Sequence, residues 1–498
     1  MTDTTFGETL AALAEAQPDS PAVTCAGDTI TWAELDRDSN RLARAYAAHG
    51  VHQGSYVSIV LENSPAFLVA AFACWKLGAV PQPLSSRITP GELRAILQLV
   101  RPAGVVGAGT AGSLPLPPGA VPLPATAEEY DCAPLPRAVS PSWKAPTSGG
   151  STGQPKVIVA GSPALTEQVI GLARLLRMPQ GGAVSVPGPL HHNAPFMFAT
   201  LALLSGSHVV LQPRFDAKTL LDEIEAHRVR WLYAVPTMMQ RIWNLDPAVR
   251  DGADLSSLDL VVHMAAPCPP WLKQVWIDWL GGARVFEIYA GTEAQAATAI
   301  DGTDWLARPG SVGRAVLGEI QVLGPDGKQL PAGEVGEVWM RRGPDAPAAY
   351  AYIGATAQTR SGGWECLGDL GRLDEDGFLY LTDRNSDVIL VGGSNVYPAE
   401  VEAALAEYPG IDDACVIGLP HHDLGAVPHA IVQCAHPLDA AAVLAFLRER
   451  LSPYKLPRSF ETVGHPLRDE AGKVRRSALR TERLTPAAHD NGAGHALR

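Results

Sequence analysis

The chain has 498 residues, two to three times a typical domain, so at least two folding units with a large core are expected and peptide effectors and disulfide scaffolds are excluded. Acidic residues outnumber basic ones 52 to 39, a net charge of −13, and no Lys/Arg block is interleaved with aromatics, which argues against a nucleic-acid groove. The 46% hydrophobic and 18% charged content is that of a soluble globular chain, and the seven cysteines (Cys25, Cys74, Cys132, Cys268, Cys366, Cys415, Cys434) lack any C-x-x-C or paired spacing, so neither zinc sites nor a disulfide frame is expected and a reducing cytoplasm fits.

Residues 1–5 carry no basic region ahead of an apolar run, so no secretory signal is read there. Trp32-Ala33-Glu34-Leu35 opens an amphipathic helix, 56–61 reads as a buried strand and 65–77 as a helix. The apolar stretches 67–75 and 196–204 fall short of the roughly 18 residues a membrane helix needs and read as buried helices. Residues 102–141, rich in Pro, Gly and Ala, read as an exposed connection inside one domain. Strands at 206–211, 229–234 and 260–264 and a helix at 220–227 continue the alternation, which signals a mostly parallel sheet covered by helices. From 310 to 381, short β runs separated by Pro325-Asp326-Gly327 and Glu375-Asp376-Gly377 suggest a β unit. After Arg384 a small αβ unit begins, with Pro398 at a first helical position and Val401, Ala404, Leu405 and Tyr408 on one apolar face. The expectation is an α/β multidomain chain: a large domain over 1–385, a small αβ domain over 386–484 and a frayed tail over 485–498. No internal repeat is found.

The most informative string is Thr147-Ser148-Gly149-Gly150-Ser151-Thr152-Gly153-Gln154-Pro155-Lys156. Its glycines let backbone N–H groups approach an anion without Cβ obstruction, and its hydroxyls add neutral donors, which together suit a polyphosphate. It is not a Walker A loop, because Gln154-Pro155 separates Lys156 from the last glycine. Downstream come Tyr289-Ala290-Gly291-Thr292-Glu293, Gly368-Asp369-Leu370, Asp383-Arg384-Asn385-Ser386-Asp387, Gly392-Gly393-Ser394-Asn395-Val396-Tyr397-Pro398 and Gly472-Lys473. They supply a phosphate loop, an aromatic face beside a carboxylate for a metal, a second carboxylate and a guanidinium for a ribose, and a late lysine. Singly, each of these residues is as well explained as an ordinary surface or turn residue; their order and spacing are what point to nucleotide chemistry.

In this ordered set the chain resembles the acyl-adenylate-forming superfamily, which includes acyl-CoA synthetases, adenylation domains of peptide synthetases and firefly-type luciferases. The resemblance runs from Thr31-Trp32-Ala33-Glu34-Leu35 to Lys473. It implies that a carboxylate attacks the α-phosphate of ATP, leaving an acyl-adenylate and pyrophosphate, and that the thiol of coenzyme A or of a carrier protein then displaces AMP. Ser148, Gly149, Gly150, Ser151, Thr152, Gly153 and Lys156 would hold the β- and γ-phosphates, Thr292 the α-phosphate and Glu293 the Mg2+ ion. Tyr289 would pack on adenine with Ala265, Ala266 and Pro267 on its other side, while Asp369 and Arg384 would take the ribose. Lys473 would bridge the substrate carboxylate and the α-phosphate. The small C-terminal domain would rotate about Ser386, withdrawing Lys473 and presenting Gly392, Gly393 and Ser394 to a pantetheine tunnel. Lys455, Arg458, Arg475 and Arg476 are candidates for CoA phosphates, and equally for solubilising charge.

Four positions depart from the family pattern: Gly149 for Ser or Thr, Ala290 for Gly, Asp383 for Gly, and Ser386 for the usual Asp or Lys at the hinge. Gly149 and Ala290 leave open a chain that performs thioester formation on a preformed adenylate without making one. The acid pocket would be formed by His191, His192, Asn193, Phe196, Val235, Thr237, Met238, Met264, Ala290 and Gly291, a set without obvious charge that suits a hydrophobic acid. His192 stands where amino-acid-activating relatives have Asp, which disfavours α-amino acids; the His pair has no third metal ligand nearby in sequence. The Ser-Gly-Gly-Ser-Thr-Gly and His-Asn-Ala-Pro strings resemble bacterial ligases for bulky acids, including steroid-acid and specialised-metabolite ligases. The expectation is an acyl-CoA ligase needing ATP, Mg2+ and CoA; a stand-alone enzyme loading a carrier protein and a non-catalytic acid or adenylate binder are the alternatives.

Overall fold

The computed structural model describes residues 3–107, 116–149, 155–384, 387–391, 394–469 and 472–484. Its largest sheet has nine strands in the spatial order Arg314–Leu317, Ala297–Asp301, Val285–Ala290, Leu260–His263, Val229–Ala234, Ala183–Val186, His208–Leu211, Pro21–Cys25 and Asp28–Thr31. The pairs from Val285–Ala290 across to Pro21–Cys25 are all parallel and only the edges are antiparallel. Parallel strands need both faces covered, and the Val-rich runs at 184–186, 209–211 and 260–263 are buried throughout. The cover includes Pro65–Lys76 and Asn193–Leu204, helices apolar nearly all round, whose Phe67, Phe72, Trp75 and Phe196 meet edge-on or tilted with Phe6 in one aromatic cluster. The helix Trp32–Ala48 starts from a capping box between Thr31 and Glu34.

A second sheet is parallel throughout, in the order Val80–Pro83, Tyr56–Ile59, Gly104–Val106 and Val121–Leu123. This corrects the reading of 102–141 as exposed connection, since that segment contributes two of the four strands. A Cβ on Gly104 would lie 2.4 Å from Leu123 Cδ1, so the glycine that looked like a loop residue is what lets neighbouring strands close up.

The expected β unit is a five-stranded antiparallel sheet built on Trp364–Leu373, with Glu319–Leu323, Gly336–Arg341, Gln358–Arg360 and Leu379–Arg384. Tyr350–Ile353 leaves it to pair with Pro155–Ala160, which pairs in turn with Thr147–Gly149. That crossing brings an aromatic strand alongside the Gly-rich loop.

Beyond the five-stranded β unit, Ser394–Val396, Ile389–Val391, Gly425–Gln433, Asp413–His421 and Ser459–Val463 form the C-terminal sheet, packed by Pro398–Leu405, Ala440–Arg448 and Arg476–Leu484. Val401, Ala404 and Leu405 are in its core with Tyr408 against it, the face expected from sequence. The Arg476 guanidinium is committed to Glu402 at 2.6 and 2.7 Å and to Asp387 at 3.1 Å. Asp383 Oδ2 accepts the Ala399 N–H at 2.9 Å from sixteen residues upstream, so a carboxylate on the strand Leu379–Arg384 caps the helix Pro398–Leu405, whose own N-cap Tyr397 makes no side-chain cap bond. Among the described residues no helix is long and apolar enough to cross a membrane, and all seven cysteines are free.

Candidate active site

The strand Thr147–Gly149 leads into the Gly-rich loop and Pro155–Ala160 leads out of it. Ser148 and Gly149 close the first strand. Gly150, Ser151, Thr152 and Gly153 lie outside the described residues, as do the side chains of Ser148 and Arg384, all of Ser386, and Gly392 and Gly393. Lys156 Nζ donates to Glu293 Oε1 at 3.0 Å and to the Tyr352 hydroxyl at 2.9 Å, and the Tyr352 O–H donates to the same Glu293 oxygen at 2.5 Å. Glu293 is only 5% exposed, so this buried carboxylate has a cation and a phenol as its partners. Burial and the Glu293 charge push the Tyr352 hydroxyl well above the usual phenol range. Tyr350, edge-on to Tyr352, donates to Glu365 at 2.7 Å. Neither tyrosine was singled out from sequence, because their strand lies some two hundred residues beyond the loop it joins.

The Tyr289 hydroxyl donates to Asp369 Oδ2 at 2.6 Å, tying the strand Val285–Ala290 to the β unit. Met264, Ala265, Ala266 and Pro267 line the same cleft, and Ala265 holds the left-handed backbone at φ 76°. Ala290 lies in ordinary strand pairing with Ala297, so its methyl adds no backbone strain. A Cβ on Gly291 would lie 2.3 Å from Leu367 Cδ1 and 3.1 Å from Glu293 Oε2, so a larger residue there has to displace the Leu367 side chain. Thr292 lines the cleft beside it.

Lys473 arrives from the C-terminal unit on a tight turn. Asp469 Oδ1 accepts the Lys473 N–H and the Lys473 carbonyl accepts the Asp469 N–H, both at 2.9 Å. Gly472, at φ 76°, presses on the large domain, its position for a Cβ being 3.4 Å from Thr237 Oγ1. Close by, the rings of His191 and His192 meet at a tilt of 41° with their centroids 4.2 Å apart. Burial first, then the charges of Lys473 and Arg475, drive His192 down to about 3; burial and His192 hold His191 at about 3. Both rings are therefore neutral at physiological pH.

Other expected pocket residues divide. His191, His192, Asn193, Thr237, Met264, Ala290 and Gly291 line the cleft. Phe196 is instead fully buried against Phe67 and Trp75, because it faces the aromatic cluster from the opposite side of its helix, and Val235 and Met238 are also core residues. Met197, Phe198, Leu172, Leu175 and Leu176 line the cleft in their place. The expectation of an uncharged acid pocket is also revised: Lys144, 5% exposed, lines the cleft with its ammonium hydrogen-bonded to Asn193 Oδ1 and 4.7 Å from the Trp143 ring. Burial outweighs the pull of Glu293 and lowers Lys144 to about 7. Of the basic residues considered for CoA, Lys455 pairs with Glu400 at 2.6 Å and Arg475 with Glu92 at 3.0 Å, Arg476 is held as described, and Arg458 is exposed. Ser394 is exposed at the start of its strand.

The cleft that unites these residues has a volume of about 2360 Å³ and is walled by both the large domain and the Lys473-bearing segment. The family model for AMP-binding enzymes matches residues 10–348, and that for the AMP-binding enzyme C-terminal domain matches 400–473. The chain belongs to the AMP-binding enzyme family. This AMP-binding enzyme is 33% identical to a feruloyl-CoA synthase of Amycolatopsis sp, over 94% of this chain and 96% of the relative. It is 30% identical to the fatty acid–[acyl-carrier-protein] ligase ScoC of Streptomyces coeruleorubidus, over 96% of each. In structure it is similar to o-succinylbenzoate CoA synthetase from Bacillus subtilis in complex with the acyl-adenylate intermediate, with TM-score 0.82, 25% identity and coverage of 99% and 100% of the two chains. The same synthetase has also been solved with ATP and magnesium ion. The AMP-binding enzyme is an acid–thiol ligase that converts a carboxylic acid, ATP and CoA to acyl-CoA, AMP and pyrophosphate through an acyl-adenylate, with Mg2+. The buried Glu293 carboxylate in the cleft is an oxygen donor of the kind that Mg2+ takes.

Proposed function

We propose that this ligase activates a bulky, largely hydrophobic acid, and that the residues singled out from sequence carry the two half-reactions. The observation behind the size of the acid is that apolar Leu172, Leu175, Leu176, Met197 and Phe198 line the same roughly 2360 Å³ cleft as His191 and His192. In this reading Mg2+ offsets the charge that builds on the phosphate oxygens. Glu293 provides its carboxylate, released from Lys156 as that lysine turns to the β- and γ-phosphates; Thr292 takes the α-phosphate and Ser148, Ser151 and Thr152 the outer phosphates. Tyr289 packs on adenine, its hydroxyl orienting Asp369 towards the ribose with Arg384. Lys473 brings a positive charge to the point where two anions meet, and the two neutral histidines beside it bind the acid without competing for its carboxylate. The large domain spans 1–385 and the C-terminal one 386–484, hinged at Ser386, with Gly392, Gly393 and Ser394 at the thiol's entry.

CoA is the acceptor; a carrier protein acting in trans is a second reading that the likeness to ScoC favours. The deciding experiment is mass spectrometry of the protein with ATP, Mg2+, CoA or a phosphopantetheinyl carrier, and a panel of aryl, polycyclic and short acids, beside a parallel reaction given preformed acyl-AMP. Acyl-CoA from bulky acids in preference to short ones is the expected result. Preference for short acids would overturn the size reading, product only from preformed acyl-AMP would reassign the chain to the second half-reaction, and binding without turnover in either arm would make it an acid or adenylate binder.

A further inference from the structure

The cleft holds a buried lysine, Lys144, to which the proposed adenylation roles assign nothing. Lys473 serves the reacting carboxylate from the His192 side. One residue further along, at Asn193, the Lys144 ammonium donates to the amide oxygen and faces the Trp143 ring. No carboxylate lies within ion-pair distance of Lys144 among the described residues, although Lys76 and Lys273, the other buried lysines among them, each have one at 2.7 Å or closer. An ammonium carries three N–H donors, and a buried cation with only a neutral amide partner leaves most of its donor capacity unanswered. The helix Asn193–Leu204 begins at the same place with no side-chain cap, so its first N–H groups add a positive end to the wall. The neutral His191 and His192 bring no compensating negative charge.

We infer that Lys144 is a specificity-determining residue which, with Asn193 and the start of its helix, receives a second acceptor oxygen of the acid substrate, best a second carboxylate, distinct from the carboxyl that is activated. The charge of Glu293 reaches Lys144 from beyond ion-pair distance. The inference rests on the acid-ligase reading of the cleft and deepens it: the substrate is bulky and apolar along Leu172, Met197 and Phe198 but oxygenated where it passes Lys144. A charged partner would form a charge-assisted bond in a site screened from water, while a purely hydrocarbon acid would bury the ammonium further without answering it.

The test uses two matched pairs of acids, cinnamate with 4-carboxycinnamate and decanoate with decanedioate, measured by equilibrium calorimetry on the full chain with AMP present, and separately by acyl-CoA formation. In at least one pair the dicarboxylic acid is expected to bind roughly ten- to a hundredfold more tightly than its partner. In Lys144→Gln and Lys144→Met that ratio is expected to fall towards one, with thermal melting confirming that each variant is folded. Equal or weaker binding of both dicarboxylic acids by the unaltered protein overturns the inference without needing any variant, and so does a preference that survives both substitutions. Failure of the ligase reading looks different: the acids discriminate in binding, yet none yields acyl-CoA.

Discussion

At the residue scale, the cleft concentrates groups whose surroundings prescribe their charge. Lys473 stands near His192, which burial and then the charges of Lys473 and Arg475 keep neutral, while burial, His192 and Arg87 do the same for His191. In the proposed mechanism Lys473 is the cation that meets the reacting carboxylate. Lys473→Ala is expected to slow acyl-adenylate formation by roughly 10²–10³-fold, as for loss of one preorganised electrostatic donor. Pyrophosphate release reads that step, and turnover of supplied acyl-AMP with CoA should fall far less. Ala265 poses a different question, since it keeps a non-glycine residue in left-handed backbone beside the nucleotide end of the cleft. Ala265→Gly should remove a strain of about 1 kcal/mol and raise the melting temperature. A lower melting temperature would mean that the methyl packing is worth more than the strain.

At the element scale, the helices Trp32–Ala48 and Pro65–Lys76 are joined by Lys76, whose ammonium reaches Asp36 at 2.7 Å and Asn40 at 2.7 Å. Burial nonetheless wins over Asp36 and lowers Lys76 from 10.5 to about 8. Between those two values the folded chain binds fewer protons than the unfolded one, so this group makes stability rise with pH across the window, by at most about 3 kcal/mol. The difference in melting temperature between the protein and Lys76→Met, followed from pH 7 to 10.5, should therefore shift towards the unaltered protein as pH rises. A difference independent of pH would show that Lys76 titrates normally. The elements most legible in the sequence were those dominated by apolar residues: Val229–Ala234, broken only by Arg230, matched to the residue, and Pro65–Lys76 and Leu260–His263 to within one. Gly104–Val106 and Val121–Leu123 were not legible, because three residues amid Pro and Gly carry no periodicity and their membership of a sheet is decided by pairing, the first on Tyr56–Ile59 and the second on the first.

At the scale of the whole molecule, the ordered motifs revealed the family, because chemistry fixes both their residue types and their sequence. Lys144, Tyr352 and the Leu172 wall stayed hidden, since each joins the cleft through tertiary pairing: Tyr352 through its strand beside Pro155–Ala160, Lys144 by reaching across to Asn193. The C-terminal unit meets the large domain through small polar contacts, with Gln240 donating to the Asp412 carbonyl at 2.8 Å and Arg475 pairing with the exposed Glu92. Arg475→Ala, which removes the pair while leaving Glu92 in the capping box of the helix Pro90–Val100, should thus cost below about 1 kcal/mol of stability, less still in high salt, as measured by denaturation at two ionic strengths. A loss several times larger would mean that this pair, and not the Lys473 turn, holds the units together.

Asp383 looked like a departure from pattern, and the structure makes it the cap of the first C-terminal helix. Its strand belongs to one side of Asn385-Ser386 and its helix to the other, so the bond to Ala399 is a stitch across the join. Turning the C-terminal unit against that strand by more than a few degrees has to open it, and the Ala399 amide then becomes available to solvent deuterium. If the units turn about Ser386 as proposed, exchange at the Ala399 amide is expected to quicken with a bound molecule that favours the turned arrangement and to slow with one that favours this arrangement, as hydrogen–deuterium exchange at that position would read.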